Sequence, residues 1–72
     1  MPKAELFRLL QRHAALAKAM RGRGGIKVTE ERELQRLRET LDAHSGPAAD
    51  LLAAAGRTGR PVEEISVDDL GI

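Results

Sequence analysis

The chain has 72 residues, with no cysteine, tryptophan or tyrosine, a single phenylalanine and a formal net charge of +1. A chain of this length buries only about 60 % of the surface it exposes when unfolded, so it supports one small domain with a thin core. Disulfides and thiolate metal sites are excluded, and the missing aromatics remove the usual base-stacking platforms and interface anchors. Self-association or docking on a partner is therefore the expected way to complete burial.

Charge is unevenly laid out. All 12 Lys and Arg residues fall in residues 1–60, against seven acids there, which makes that segment +5. Residues 61–72 carry Glu63, Glu64, Asp68 and Asp69 and no base, which makes them −4. The composition predicts a mildly basic body, residues 1–56, joined by a Gly/Arg/Pro linker to an acidic and apolar tail within residues 57–72.

Residues 3–21 read as the first helix. At 100° per residue, Leu6, Leu9, Leu10, His13, Ala14, Leu16, Ala17 and Met20 share one broad face, with Phe7 at its edge. Arg8, Gln11, Arg12, Ala15, Lys18 and Ala19 take the other side. Pro2 suits the start and Gly22 or Gly24 the stop. A face this wide needs two neighbours rather than one.

Thr29 is the expected N-cap of a second helix running to about Ala43, with Glu30 and Glu31 complementing its dipole. Its apolar stripe is narrow: Leu34, Leu37 and Leu41. Glu33 with Arg36, and Arg38 with Asp42, stand at ion-pair spacing, each pair contributing about 0.3 to 0.5 kcal/mol. The two helices suggest an antiparallel hairpin with "GRGG" at its tip. A short third helix is expected from about Pro47, at its first helical position behind a Ser45 or Gly46 cap, to Ala55, ended by Gly56. The fold class is thus all-α: a helical hairpin, a short third helix and an extended acidic tail. In the tail, "VEEISVDDLGI" fits either an edge strand or a short turn opened by Ser66, with Asp69 three residues on.

Two loops are rich in glycine and base. Arg21, Arg23 and Lys27 in the first, with Arg57 and Arg60 in the second, form a phosphate or nucleic-acid backbone site if both loops reach one end of the bundle. Walker spacing, a dinucleotide-binding fingerprint and a DNA-reading motif are all absent from the sequence. His13 and His44 lack the partner ligands of a metal site, and a packed or interfacial role is expected for both. The hydroxyls Thr29, Thr40, Ser45, Thr58 and Ser66 have no basic partner at a recognisable spacing. No enzymatic activity, cofactor or small-molecule substrate is expected.

The main expectation is a small interaction module of the adaptor, assembly or regulatory kind. Its protein contacts are expected at Leu6, Phe7, Leu9, Leu10, His13, Leu16, Met20, Leu34, Leu37, Leu41, Ile65, Val67, Leu70 and Ile72. The alternative is a small regulator or antitoxin-like protein that binds nucleic-acid backbone through the basic loops. Within the tail, "ISVDDLGI" resembles the C-terminal cargo-loading peptides of encapsulin cargo proteins, with patterns of the type Leu-Thr-Val-Gly-Ser-Leu behind a flexible linker. Ile65, Ser66, Val67 and Leu70 take the matching positions, while Asp68 and Asp69 replace the small Gly-Ser pair. The resemblance implies loading into a protein shell, although the body lacks the metal ligands of ferritin-like cargo.

The early aliphatics are interrupted by Arg8, and no apolar run approaches the length of a leader's core or the roughly 20 residues of a membrane span. A cytoplasmic protein is expected. The Ala-, Arg-, Leu- and Gly-rich, Lys-poor composition suggests a bacterial or phage gene.

Overall fold

The computed structural model describes residues 1–71; Ile72, expected at a contact surface, lies outside the described residues. Three helices follow one another, α1 (Lys3–Arg21), α2 (Val28–Ala43) and α3 (Ser45–Arg57), and two single 3₁₀ turns, Val62–Glu64 and Val67–Leu70, complete the chain. Among the described residues there is no strand.

Local chemistry accounts for most boundaries. Pro2 is extended and its carbonyl accepts the Leu6 N–H, opening α1, while Glu5 near the start and Lys18 and Arg21 near the end complement the dipole. After Gly22 the chain reverses through Gly24 and Gly25, at φ of 85° and 62°, a region that glycine enters without a Cβ clash. α2 begins earlier than expected. Lys27, not Thr29, occupies the cap position, because the Glu30 carboxylate accepts the Lys27 backbone N–H at 3.1 Å.

α3 is longer than the expected Pro47–Ala55, starting directly after the one-residue corner at His44. Ser45 and Gly46 extend it backwards because the first four N–H groups of a helix need no intrahelical acceptor, so Pro47 fits the first turn without loss. At the other end Gly56 stays helical, and Thr58 closes the helix by donating its hydroxyl to the Ala55 carbonyl at 2.7 Å.

The core lies in two clusters along α1. Leu6, Phe7 and Leu10 meet Ala48, Leu51 and Ala55 of α3, and Ile65 of the tail joins the same cluster. Leu16 meets Leu34 and Leu37 of α2, with Leu9 and Ile26 packed against them. Phe7, expected at the edge of the α1 face, is fully buried, whereas Met20 remains 42 % exposed. The buried face is rotated because the tail also covers the Gln11 side of the helix. The Gln11 Nε2 donates to the Val62 carbonyl at 3.1 Å and to the Ile65 carbonyl at 2.5 Å.

The tail is therefore neither a strand nor extended. It docks on the body as two turns, the second closed by the Asp69 carboxylate accepting the Ser66 N–H at 3.4 Å. Magnitudes explain why several contacts are needed. Burying Ile65 stabilises by about 1.5 to 3 kcal/mol, while ordering each backbone residue costs about 1 to 2 kcal/mol. Partly buried Val62, Val67 and Leu70, together with the Gln11 amide, must supply much of the remainder.

Ile65→Ala is expected to destabilise the chain by about 2 to 5 kcal/mol, and Gln11→Ala by about 1 to 2 kcal/mol. Val28→Ala, at a site 63 % exposed, should change stability by less than about 0.5 kcal/mol. Urea unfolding followed by far-UV circular dichroism measures all three.

Candidate docking groove

The expected contact residues divide sharply by exposure. Leu6, Phe7, Leu10, Leu16, Leu34, Leu37 and Ile65 are buried in the molecule's own core. Leu9, His13, Leu41, Val67 and Leu70 are half-buried, so much of the surface expected to meet a partner is already covered from within. The aliphatics that carry the loading-peptide resemblance are among those folded onto the body.

One of the openings that remain is a groove of about 330 Å³ where α1, α2, α3 and the first 3₁₀ turn meet. Its floor is apolar: Leu10 and Ala14 from α1, Leu41 from α2, Ala48 and Ala49 from α3, and Val62 from the tail. His13 stands in its wall, Leu52 lies beside it at 46 % exposure, and Arg38 and Asp42 supply charge at its border. The α3 periodicity explains the split between its two leucines. Leu51 shares a buried face with Ala48 and Ala55, three residues before it and four after it, while Leu52 is turned by 100° towards Ala49. That signal was readable from spacing alone, and it separates a core leucine from a surface one.

The basic loops do not converge. Arg21, Arg23 and Lys27 flank the α1–α2 turn and are exposed. Arg57 instead lines a hollow shared with Lys3 and Leu70, at the opposite end of α1, whose length puts Arg21 roughly 27 Å from Lys3. The reason is that α3 packs across the Leu6–Leu10 half of α1, which carries its end away from the glycine turn. Arg60 is further occupied by Asp69 at 3.4 Å.

The expected ion pairs along α2 are also replaced. Glu33 pairs across to Arg12 of α1 rather than to Arg36, through two guanidinium hydrogen bonds. Arg38 and Asp42 make no ion pair with each other among the described residues. Lys18 reaches Glu63 of the tail at 3.8 Å. No buried side-chain nitrogen or oxygen lacks a hydrogen-bond partner among the described residues. Nor does any group of three or more His, Asp or Glu there gather closely enough to hold a metal ion. Among the described residues no helix is long and apolar enough to cross a membrane.

The chain finds no match among protein-family models, curated proteins or solved structures. The groove must therefore be read from its own geometry.

The fork on Glu33 has a measurable consequence. The Arg12 hydrogen bond, aided by its charge and opposed by partial desolvation, holds the Glu33 carboxyl below its ordinary value. A lowered folded-state pKa means that the pair contributes stability above the ordinary glutamate range, near about 4.3, and loses it as pH falls through the lowered value. Carbon-13 carboxyl titration should show Glu33 ionising below the ordinary glutamate value, and Arg12→Ala should return it towards that value. Because the pair is exposed, the effect should also weaken with added salt.

Proposed function

We propose that this protein is a small non-enzymatic interaction module, adaptor, assembly or regulatory in kind, that docks a polypeptide in the groove between its helices. In this reading α1 and α2 form an antiparallel hairpin, α3 crosses it, and the acidic tail acts as an internal strut rather than as a free arm. The observation that carries the proposal is the groove itself. It is a largely apolar concavity of about 330 Å³ with a leucine standing exposed next to it. Apolar concavities with a few placed polar groups are where proteins take up partners, and an amphipathic helix laid in a groove is one recurring mode.

Two chemical features support a binding role over a catalytic one. The Thr40 hydroxyl donates to the Arg36 carbonyl and the Thr58 hydroxyl to the Ala55 carbonyl, so both are engaged in helix contacts. Besides His13, the charged side chains beside the groove are Arg38 and Asp42, both exposed on α2. A site for nucleic-acid backbone would need its bases together, and the separation of Arg57 from Arg21 removes the observation that favoured it.

Site-directed photo-crosslinking tests the reading. A benzophenone amino acid in place of Leu52 or Ala49 should form polypeptide adducts in an extract of the source cell. Yields should be several-fold higher than from the same group at Glu31 or Arg8, which are exposed but outside the groove. Equal yields at all four positions would overturn it.

A further inference from the structure

We infer that the occupant of the groove is a second copy of this chain, docked about a two-fold axis; the inference rests on reading the groove as a docking surface. Three observations lead to it. The first is shape. Leu52 is an exposed knob immediately beside a hollow. In a two-fold contact the same patch meets itself, so each knob faces the hollow of the other copy. A surface that holds its own complement needs no second kind of molecule.

The second observation is charge. Arg38 and Asp42 border the groove one helical turn apart, and neither is engaged in an ion pair among the described residues. Opposite charges four residues apart are self-complementary under a two-fold axis. When two copies of α2 run antiparallel past each other at the level of Thr40, Arg38 faces Asp42 of the partner subunit, and the reciprocal pair forms on the other side of the axis. The rest of the contact is mostly uncharged, since Ser45, Ala49, Leu52, Ala53 and Gly56 are exposed on α3, with Asp50 and Arg57, one charge of each sign, exposed on the same helix. An apolar centre with a charged border is the usual anatomy of a specific interface.

The third observation is area. The chain exposes 4968 Å² at a mass of 7.8 kDa, whereas a compact monomer of that mass exposes about 4,400 Å². The radius of gyration, 12.4 Å, likewise exceeds the roughly 11 Å expected for this length. The surplus surface, on the order of 600 Å², approaches the roughly 800 Å² that a standard interface takes from each partner. A two-fold dimer through this groove buries part of that surface and thickens a core that is thin at this length.

The experiment is sedimentation equilibrium on the full chain and on four variants, with far-UV circular dichroism to check that each keeps its helices. The wild type should sediment at twice the 7.8 kDa chain mass. Leu52→Asp, at an exposed position, should weaken the dimer at least about 30-fold with unchanged helix content. Arg38→Asp and Asp42→Arg should each weaken it about tenfold by placing like charges together. The double variant Arg38→Asp/Asp42→Arg should recover association to near the wild-type level, which a merely structural defect would not do. A wild-type chain that stays monomeric at high micromolar concentration overturns the inference. If Leu52 then still crosslinks to a different polypeptide, the docking reading survives without the second copy; if it crosslinks to nothing, both fall. A dimer indifferent to Leu52→Asp and to both charge reversals forms through another face, and it also overturns the inference.

Discussion

The structure depends on one constraint: α1 carries more apolar surface than a single helix can cover. Leu6, Phe7, Leu10 and Leu16 are all buried, yet they point into two separate clusters. α2 closes the cluster around Leu16, and α3 closes the one around Phe7. Neither reaches the Gln11 side, and there the tail is drawn in. Every other feature of the fold follows from how these three segments divide one helix among them.

The tail is held by a polar device as much as by an apolar one. Ile65 enters the Phe7 cluster, but a segment with little regular structure brings carbonyl groups that need donors wherever water is displaced. Gln11 meets this need at two carbonyls, Val62 and Ile65, with one amide nitrogen. A glutamine on an apparently polar side of a helix thereby ties the Val62–Ile65 segment to α1. The consequence for function is direct. With Ile65 committed to the core, Leu52 is left as the exposed large aliphatic at the α1–α2–α3 junction.

Electrostatics reinforce this division. The acidic tail reaches one base of the body, through Lys18 with Glu63, and one of its own linker, through Arg60 with Asp69, while the helices exchange a third pair through Arg12 and Glu33. Exposed pairs of this kind add little stability individually. Their effect is on the surface that remains, because they engage charges away from the groove and leave Arg38 and Asp42 beside it. The groove thus carries one charge of each sign, Arg38 and Asp42, balanced overall.

Much of the architecture was legible in the residues themselves. Periodicity places α1 at Lys3–Arg21, the Gly24–Gly25 reversal separates it from α2, and the width of the α1 face already demands more than one neighbour. The Ser66–Asp69 turn was likewise one of two openings that the spacing allowed. These are local properties, set by backbone preference and by side chains within a turn or two of each other. What only the tertiary structure decided is which distant groups meet: Glu33 with Arg12 instead of Arg36, Gln11 with the tail, and Arg57 with Lys3 rather than with the glycine turn. Helical spacing shows that a pair is possible but not that it wins against a competitor from another helix. The groove belongs to this second class. It exists because α3 packs on α1 through the cluster that holds Leu10 and Ala48 and leaves Leu52 outside, and that contact is set by packing between helices, which no single helix encodes.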